Sequence, residues 1–467
     1  MRLTFHGACQ GVTGSQYLLE VQGHKLLLEC GLFQGRREET YRRNRHPRYP
    51  AEEIGAMVLS HAHLDHSGNL PRIKAKGFSG EVHCTHATRD LCTHILRDAA
   101  YVQQKDLEFI NKIHRRKGLP LFNPLYDQED VDEVLNQFSS WGYNRPFRPV
   151  PGVRTRLVEA GHVLGSAQEL HELQEDGKSY RLGFTGDLGR FDLPILRDPA
   201  ILSDLDGLII ESTYGNRTHD PMSEVGDELA EVISSTAEKG GKVIIPAFAL
   251  ERSQELLYHL AKLEDENRIP PLPVFLDSPL AANVTEVFRS HPECYDLEAR
   301  KLMDDGVRPF SFPHLTITRD VAESMALNER TDPMIIISAS GMCEGGRIVH
   351  HLRNNIENPR NTILIVSFQA AHTLGRRIAE RRPEIKIFGE THKLRARVKI
   401  LNSFSGHADR NGLLQYMEKV RENSPRLRDV FVVHGEPDQS LPFIETLRSW
   451  GAFEVHYPEE GQSFDLK

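Results

Sequence analysis

The chain lacks any apolar run near the roughly 20 residues that cross a bilayer, so no membrane span is expected from its 467 residues. It also lacks a Cys-x-x-Cys pair. The six cysteines, Cys9, Cys30, Cys84, Cys92, Cys294 and Cys343, lie scattered, which excludes a cysteine zinc knuckle and fits reduced thiols in the cytoplasm. The stretch Met1–Gly7 has no apolar signal-peptide core and reads as a strand. No internal repeat or low-complexity tract is present. Net positive charge is missing too: a formal charge of −9 argues against tight, unspecific nucleic-acid binding, which depends on neutralising phosphates. Local basic stretches remain, and these can guide a strand over an acidic surface. Arg36, Arg37, Arg42, Arg43 and Arg45 form one, and Arg376, Arg377, Arg381 and Arg382 another. Lys393, Arg395, Arg397 and Lys399 alternate as if along one face of a strand.

What is present is concentrated at Ser60-His61-Ala62-His63-Leu64-Asp65-His66, directly after the apolar run Ala56–Leu59. That run is short and bounded by Gly55, as a buried strand is. On the extended chain, His61 and His63 face the same way. Asp65 and His66 follow where the chain turns, so they face a second point. Imidazole and carboxylate groups are zinc ligands, and two points of convergence suggest two metals. A His-rich surface loop is the bland alternative, and this spacing speaks against it.

A chain of this length is too long for one core, so two domains or one large insertion are expected. Early strands are predicted over Leu3–Gly7, Gln16–Val21 and Lys25–Cys30. Gly7, Gly11 and Gly14 lack the Gly-Lys-Ser/Thr ending of a phosphate loop and are read as a turn near the metal loop. A polar helix over Thr85–Lys117 and a second opening at Asp127, with Val131, Val134, Leu135 and Phe138 on one stripe, suggest a lid. The strands Val153–Glu159 and Tyr180–Thr185 run into Gly161-His162 and Gly186-Asp187, where glycine lets backbone approach a ligand. From about Glu211 to Leu394, continuously apolar strands alternate with helices, the pattern of a parallel sheet covered on both faces. The tail places two more histidines, His407 and His434, on loops.

His-x-His-x-Asp-His with isolated His162, Asp187 and His434 resembles the metallo-β-lactamase fold. Glu211-Ser-Thr-Tyr-Gly, Ser-Gly-His407-Ala-Asp and Val-His434-Gly-Glu narrow the resemblance to its β-CASP branch, whose members process nucleic acid. Further stretches that carry it are Pro246–Arg252, Asp277-Ser278-Pro279 and Ser338–Met342. The resemblance implies an α/β chain: an αββα sandwich with an inserted β-CASP domain on a mostly parallel sheet. Its expected bounds are 1–210 and 395–467 for the sandwich and 211–394 for the insertion.

It also implies two Zn2+, with His61, His63 and His162 on one, Asp65, His66 and His434 on the other, and Asp187 bridging. A histidine at the His434 position accompanies RNA substrates in this family. The catalytic candidates are His407 as general acid, Glu211 to hold it protonated, and Asp65. Ser338, Ser340, Arg252 and Arg347, at strand ends or helix starts, are candidate phosphate contacts. Two positions depart from the family pattern. Glu29 stands where aspartate is usual, and His372 where glycine is usual.

The implied activity is zinc-dependent endonucleolytic hydrolysis of single-stranded RNA in a cleft between two domains, leaving a 5′-phosphate and a 3′-hydroxyl. A 5′→3′ exoribonuclease of RNase J type, an ester or thioester hydrolase and a non-catalytic RNA-binding subunit are the rivals. A cytoplasmic protein without membrane contact is expected, with a homodimer as the assembly entertained.

Overall fold

A computed structural model describes residues 1–35 and 37–467; Arg36 of the first basic stretch lies outside them. The strands Arg2–Gly7, Gln16–Val21 and His24–Leu28 pair antiparallel, and the sheet continues in parallel through Ile54–Val58, Glu81–Thr85 and Phe138–Trp141. The late strand Ser463–Asp465 closes its other edge, giving seven strands. A second seven-stranded sheet runs in the order Glu454–His456, Asp429–Val433, Gly207–Glu211, Lys178–Phe184, Ala167–Glu175, Val153–Glu159 and Pro146–Phe147.

Period-2 alternation decides what each sheet buries. Leu3, Phe5, Tyr17, Leu26, Leu28 and Val58 of the first sheet share one core with Leu157, Leu173, Leu182, Phe184, Ile209 and Phe431 of the second. Each such side chain stabilises the sandwich by about 1.5–3 kcal/mol. Leu208 and Ile210, which flank Ile209, point the other way, against Leu413, Tyr416 and Met417 of the helix Arg410–Asn423 and Phe443, Ile444 and Leu447 of the helix Pro437–Ser449. The helices Leu70–Lys74, His86–Lys117 and Gln128–Leu135 pack together beside the first sheet, His86–Lys117 touching its strands Glu81–Thr85 and Phe138–Trp141. The result is helix, sheet, sheet, helix. No helix among the described residues is long and apolar enough to cross a membrane.

Three local expectations are corrected. The helix His86–Lys117 is a wall, not a lid: Leu91, Cys92, Ile95 and Leu96 are buried along its first half. Phe138 opens a strand rather than extending the stripe of Gln128–Leu135. The longest strand of the sandwich, Ala167–Glu175, is absent from the sequence reading because Gln168, Glu169 and His171 disguise a buried segment as a polar one. Its polar groups are satisfied internally, with His171 Nε2 at 2.9 Å from Glu169 Oε2 and Nδ1 at 2.9 Å from Thr155 Oγ1.

The chain divides into two units: Met1–Phe191, Asp198–Thr218 and His407–Lys467 form the sandwich, and Asp192–Arg197 with His219–Gly406 form the other. The second unit holds a six-stranded sheet, all parallel, in the order Leu315–Ile317, Val274–Leu276, Met334–Ser338, Lys242–Pro246, Thr362–Ile365 and Arg397–Ile400. The boundary expected at 394 therefore moves, because Arg397–Ile400 is the edge strand of this sheet. The segment 211–218 belongs to the sandwich, since Gly207–Glu211 pairs with Asp429–Val433. The alternating cations do not share a face either. Lys393 ends the hairpin strand Glu390–Lys393, and Arg397 starts a strand of a different sheet. Arg397 and Lys399 are ion-paired to Glu231 and Glu228 at 3.4 and 3.3 Å.

Candidate metal centre

The loop after Ile54–Val58 is pressed onto its neighbours by backbone contacts. Ser15 N donates to Asp65 O at 2.9 Å, and Cys30 N to His66 O at 2.7 Å. Gly31 permits this approach: a Cβ there would fall 1.7 Å from Asp65 O. The short helix Leu64–Ser67 then carries Asp65 and His66, with the His66 ring 4.2 Å from that of His61.

Two groups of ligand atoms result. His61, His63, His162 and Asp187 each offer one atom, all within 4.8 Å of one another, and Asp65, His66 and His434 form a second such group. His63 Nδ1 lies 3.0 Å from His61 Nε2 and 3.3 Å from His162 Nε2. His66 Nε2 lies 3.3 Å from His434 Nε2, which is 3.5 Å from Asp65 Oδ2. Asp187 faces both groups. Its Oδ2 is 3.5 Å from His61 Nε2 and 3.6 Å from His162 Nε2, while its Oδ1 is 3.3 Å from His66 Nε2. Ligand atoms about 2.0–2.1 Å from a tetrahedral zinc stand about 3.3–3.4 Å apart, so this spacing fits the ion.

Two further observations test the fit. Asp187 Oδ1 is buried without a hydrogen-bond partner among the described residues, an arrangement that costs about 1–3 kcal/mol unless a cation takes the lone pair. Charge states agree as well. Burial drives the His61 imidazole well below its ordinary pKa and that of His63 to about 4, leaving neutral rings with free lone pairs. Burial opposes charge on Asp187 and Asp65. The His434 and His66 imidazoles beside Asp187 nevertheless hold it well below the usual carboxylate range, and the His434 hydrogen bond brings Asp65 to about 2. His66 is the exception. Although burial opposes it, the carboxylates of Asp187 and Glu29 raise this imidazole well above its usual value, so it holds a proton that a metal would displace.

The groups behind the ligands set their tautomers. Glu29 Oε2 stands 2.5 Å from His66 Nδ1 and accepts from Ser60 Oγ at 2.9 Å, and Ser60 Oγ lies 2.9 Å from His61 Nδ1. Thr213 Oγ1 donates to His434 O at 3.1 Å and receives His434 Nδ1 at 3.0 Å, which leaves Nε2 free to ligate. Ser60 and Thr213 had no role in the sequence reading. They stand next to residues that did, and that adjacency was their only signal. Glu29 reaches both loops from a left-handed backbone at φ 63°. His372, the other departure from the family pattern, has φ 71°, a conformation glycine adopts without strain.

His407 stands beside the first ligand group, its ring 4.4 Å from that of His162. Its Nδ1 lies 3.1 Å from Glu211 Oε1. Burial disfavours its charged form, but the Glu211 and Asp187 carboxylates outweigh burial and raise the imidazole to about 9. Glu211 is fully buried and accepts from Leu188 N at 2.6 Å through Oε1 and from Thr213 N at 3.2 Å through Oε2.

The four candidate phosphate contacts lie in the second unit, and all four have partners there. Ser338 is buried and donates to Asp277 O at 2.8 Å. Arg347 donates to Asp277 Oδ1 at 2.7 Å and to the carbonyls of Thr318 and Arg319 at 3.3 and 2.6 Å. Arg252 is buried against Glu255. Asp277, which also accepts from Ser324 Oγ at 2.5 Å and faces His351 Nε2 at 2.6 Å, is thus the hub of a buried network. Ser340, half-exposed like Arg347, donates to Gly345 O at 3.4 Å and accepts from Glu344 N at 3.2 Å.

Residues 10–167 match the metallo-beta-lactamase superfamily, residues 253–378 the Beta-Casp domain, and residues 391–458 the Zn-dependent metallo-hydrolase RNA specificity domain. Ribonuclease TTHA0252 of Thermus thermophilus is 36% identical over 94% of this chain and 94% of its own. The RNase J-like protein of Methanocaldococcus jannaschii is 30% identical over 95% of each chain. Transcription termination factor FttA of the same organism is 30% identical over 96% of this chain and 69% of its own. A crystal structure of a protein of unknown function from Enterococcus faecalis V583 superposes on 100% of this chain and 99% of its own, with a TM-score of 0.55 at 14% identity, a likeness of fold alone. Identity of 36% and 30% to the ribonuclease and the RNase J-like protein over at least 94% of each chain, added to the matched domains, shows that the chain belongs to the metallo-β-lactamase superfamily, in its β-CASP branch.

Proposed function

We propose that the chain is a zinc-dependent endoribonuclease that hydrolyses phosphodiester bonds of single-stranded RNA and leaves a 5′-phosphate and a 3′-hydroxyl. The observation that carries this reading is Asp187, whose two oxygens face separate ligand groups at 3.5 and 3.3 Å. Bound zinc ions supply an activated water at neutral pH and positive charge for the oxygens of the scissile phosphate. His61, His63 and His162 would hold one ion, Asp65, His66 and His434 the other, and Asp187 both. Names of relatives, a ribonuclease and an RNase J-like protein, and the RNA specificity domain support RNA as substrate.

His407 then acts as general acid. With Nδ1–H donated to Glu211, Nε2–H is left to protonate the departing 3′-oxygen, which at pH 7 is a poor leaving group without a proton. Glu211 orients the ring and keeps it charged, and its own two backbone hydrogen bonds hold the carboxylate still. Ser340 remains our candidate for a phosphate contact. All six cysteines are free thiols, in keeping with a reducing cytoplasm.

The RNase J-like relative favours a second reading, 5′→3′ exonucleolysis. Zinc-loaded protein and 5′-labelled RNA separate the two: internal fragments at the earliest times support endonucleolysis, whereas mononucleotides alone would reverse the assignment.

A further inference from the structure

In the second unit, the parallel strands Lys242–Pro246, Met334–Ser338 and Thr362–Ile365 lie side by side, with Lys242–Pro246 in the middle. The chain leaves that central strand towards one side of the sheet and later adds strands on the other. Loops diverge at such a reversal, leaving a crevice at the carboxyl ends of the strands where ligands bind. The register Ile244↔Ile363 runs these two strands side by side towards the loops that carry Phe248 and Phe368. Pro246↔Ser338 likewise brings Ala339–Gly341 to the same edge.

Both phenylalanines are turned outward there, Phe248 39% and Phe368 51% exposed, while Ala247, Leu250 and Val366 around them are buried. Leaving a phenylalanine in water forgoes about 1.5–3 kcal/mol. A single exposed ring is ordinary, but two on adjacent rigid loops at a sheet's ligand edge are not. The loops are held firmly. Phe248 O accepts from Ser253 N at 3.2 Å and Ser253 Oγ at 2.7 Å. Gln369 Nε2 donates to Gly341 O at 2.9 Å and to Ser367 O at 3.0 Å, tying the third loop to the second. One side of the Phe248 ring rests on Gly341, where a Cβ would fall 2.8 Å from the ring. Ser367 Oγ, next to Phe368 in the chain, is buried without a hydrogen-bond partner among the described residues.

We propose that Phe248 and Phe368 form a stacking platform for nucleobases of single-stranded RNA. The polar Ser340 and His372 on the same loops fit a planar, hydrogen-bonding base better than the aliphatic side chains of a protein partner. Ring-on-base stacking is tolerant of sequence, so the platform gives grip rather than base choice. The proposal rests on the nuclease reading above.

The experiment uses the zinc-loaded protein and a single-stranded 12-mer of adenosines. Phe368→Trp adds an exposed indole to a chain with two tryptophans. Its fluorescence should be quenched by the 12-mer, and not by the same RNA held in a duplex. Phe368→Ala should raise KM for cleavage about five-fold to a hundred-fold, with kcat within about two-fold, and Phe368→Tyr should restore it. An unchanged KM in Phe368→Ala, a loss confined to kcat, or an unquenched indole while wild-type protein cleaves the RNA overturns the platform alone. Failure of the zinc-loaded wild type to cleave any RNA overturns the nuclease reading instead.

Discussion

Glu211 Oε1 lies 3.1 Å from His407 Nδ1, and that carboxylate is held by the backbone amides of Leu188 and Thr213. His407 is outside both ligand groups, so its removal should separate chemistry from metal binding. His407→Ala should keep its zinc by metal analysis while kcat for RNA falls about 10²–10⁴-fold. Loss of zinc along with activity would make His407 a ligand.

The same pair sets a pH dependence. Glu211 and Asp187 raise the His407 imidazole to about 9 against the effect of burial, and cations bound by the adjacent ligands draw it back down. A general acid works while protonated, so kcat should fall as pH rises through the folded pKa. Removing the Glu211 charge removes a raising influence. The alkaline limb of Glu211→Gln should therefore lie at lower pH than that of wild type, and a pH–rate profile that does not move would count against the pairing.

Asp187→Ala deletes a group that faces both ligand sets. Mass spectrometry under native conditions should show at least one zinc fewer, with cleavage abolished. A fully loaded and active variant is incompatible with a bridging carboxylate.

Glu29 supports His66 and, through Ser60, His61. Glu29→Gln keeps the shape but weakens both hydrogen bonds, and should cost about 10–100-fold in zinc affinity or in turnover. Competition against a chromophoric chelator reads the first, and single-turnover cleavage the second.

Because Asp187 and Glu29 keep a proton on His66 in the absence of metal, zinc uptake should release it. Calorimetric titration in buffers of different ionisation enthalpy should show proton release, and affinity at that site should weaken as pH falls. Chelation should also lower the melting temperature. At free zinc about 1,000 times the dissociation constant, binding stabilises the fold by about 4 kcal/mol.

The ligands differ in how legible they were. His61 to His66 declared themselves because six consecutive positions carry the whole motif, and local geometry alone divides them into two groups. His162, Asp187 and His434 are each a lone polar residue at a strand end, and only their resemblance to a family pattern connected them. The boundary at 394 was misplaced because Arg397–Ile400 alternates cations with apolar residues, unlike the continuously apolar strands of the second unit and more like Val153–Glu159 of the sandwich; its partner, Thr362–Ile365, is visible only in the pairing. Arg347 illustrates a different failure. A guanidinium at a helix start looks available for phosphate, but its partner Asp277 lies 70 positions away.

The order of the ligands along the chain has a consequence for synthesis. His61, His63, His162 and Asp187 precede the second unit, whereas His434 follows it, on the loop leaving the strand Asp429–Val433 that pairs with Gly207–Glu211. A chain still emerging from the ribosome can assemble the first ligand group but not the second, and it also lacks His407. A nuclease made this way is disarmed while it is tethered to a messenger, and it becomes competent only once the whole intervening unit has been translated and Asp429–Val433 has paired with Gly207–Glu211.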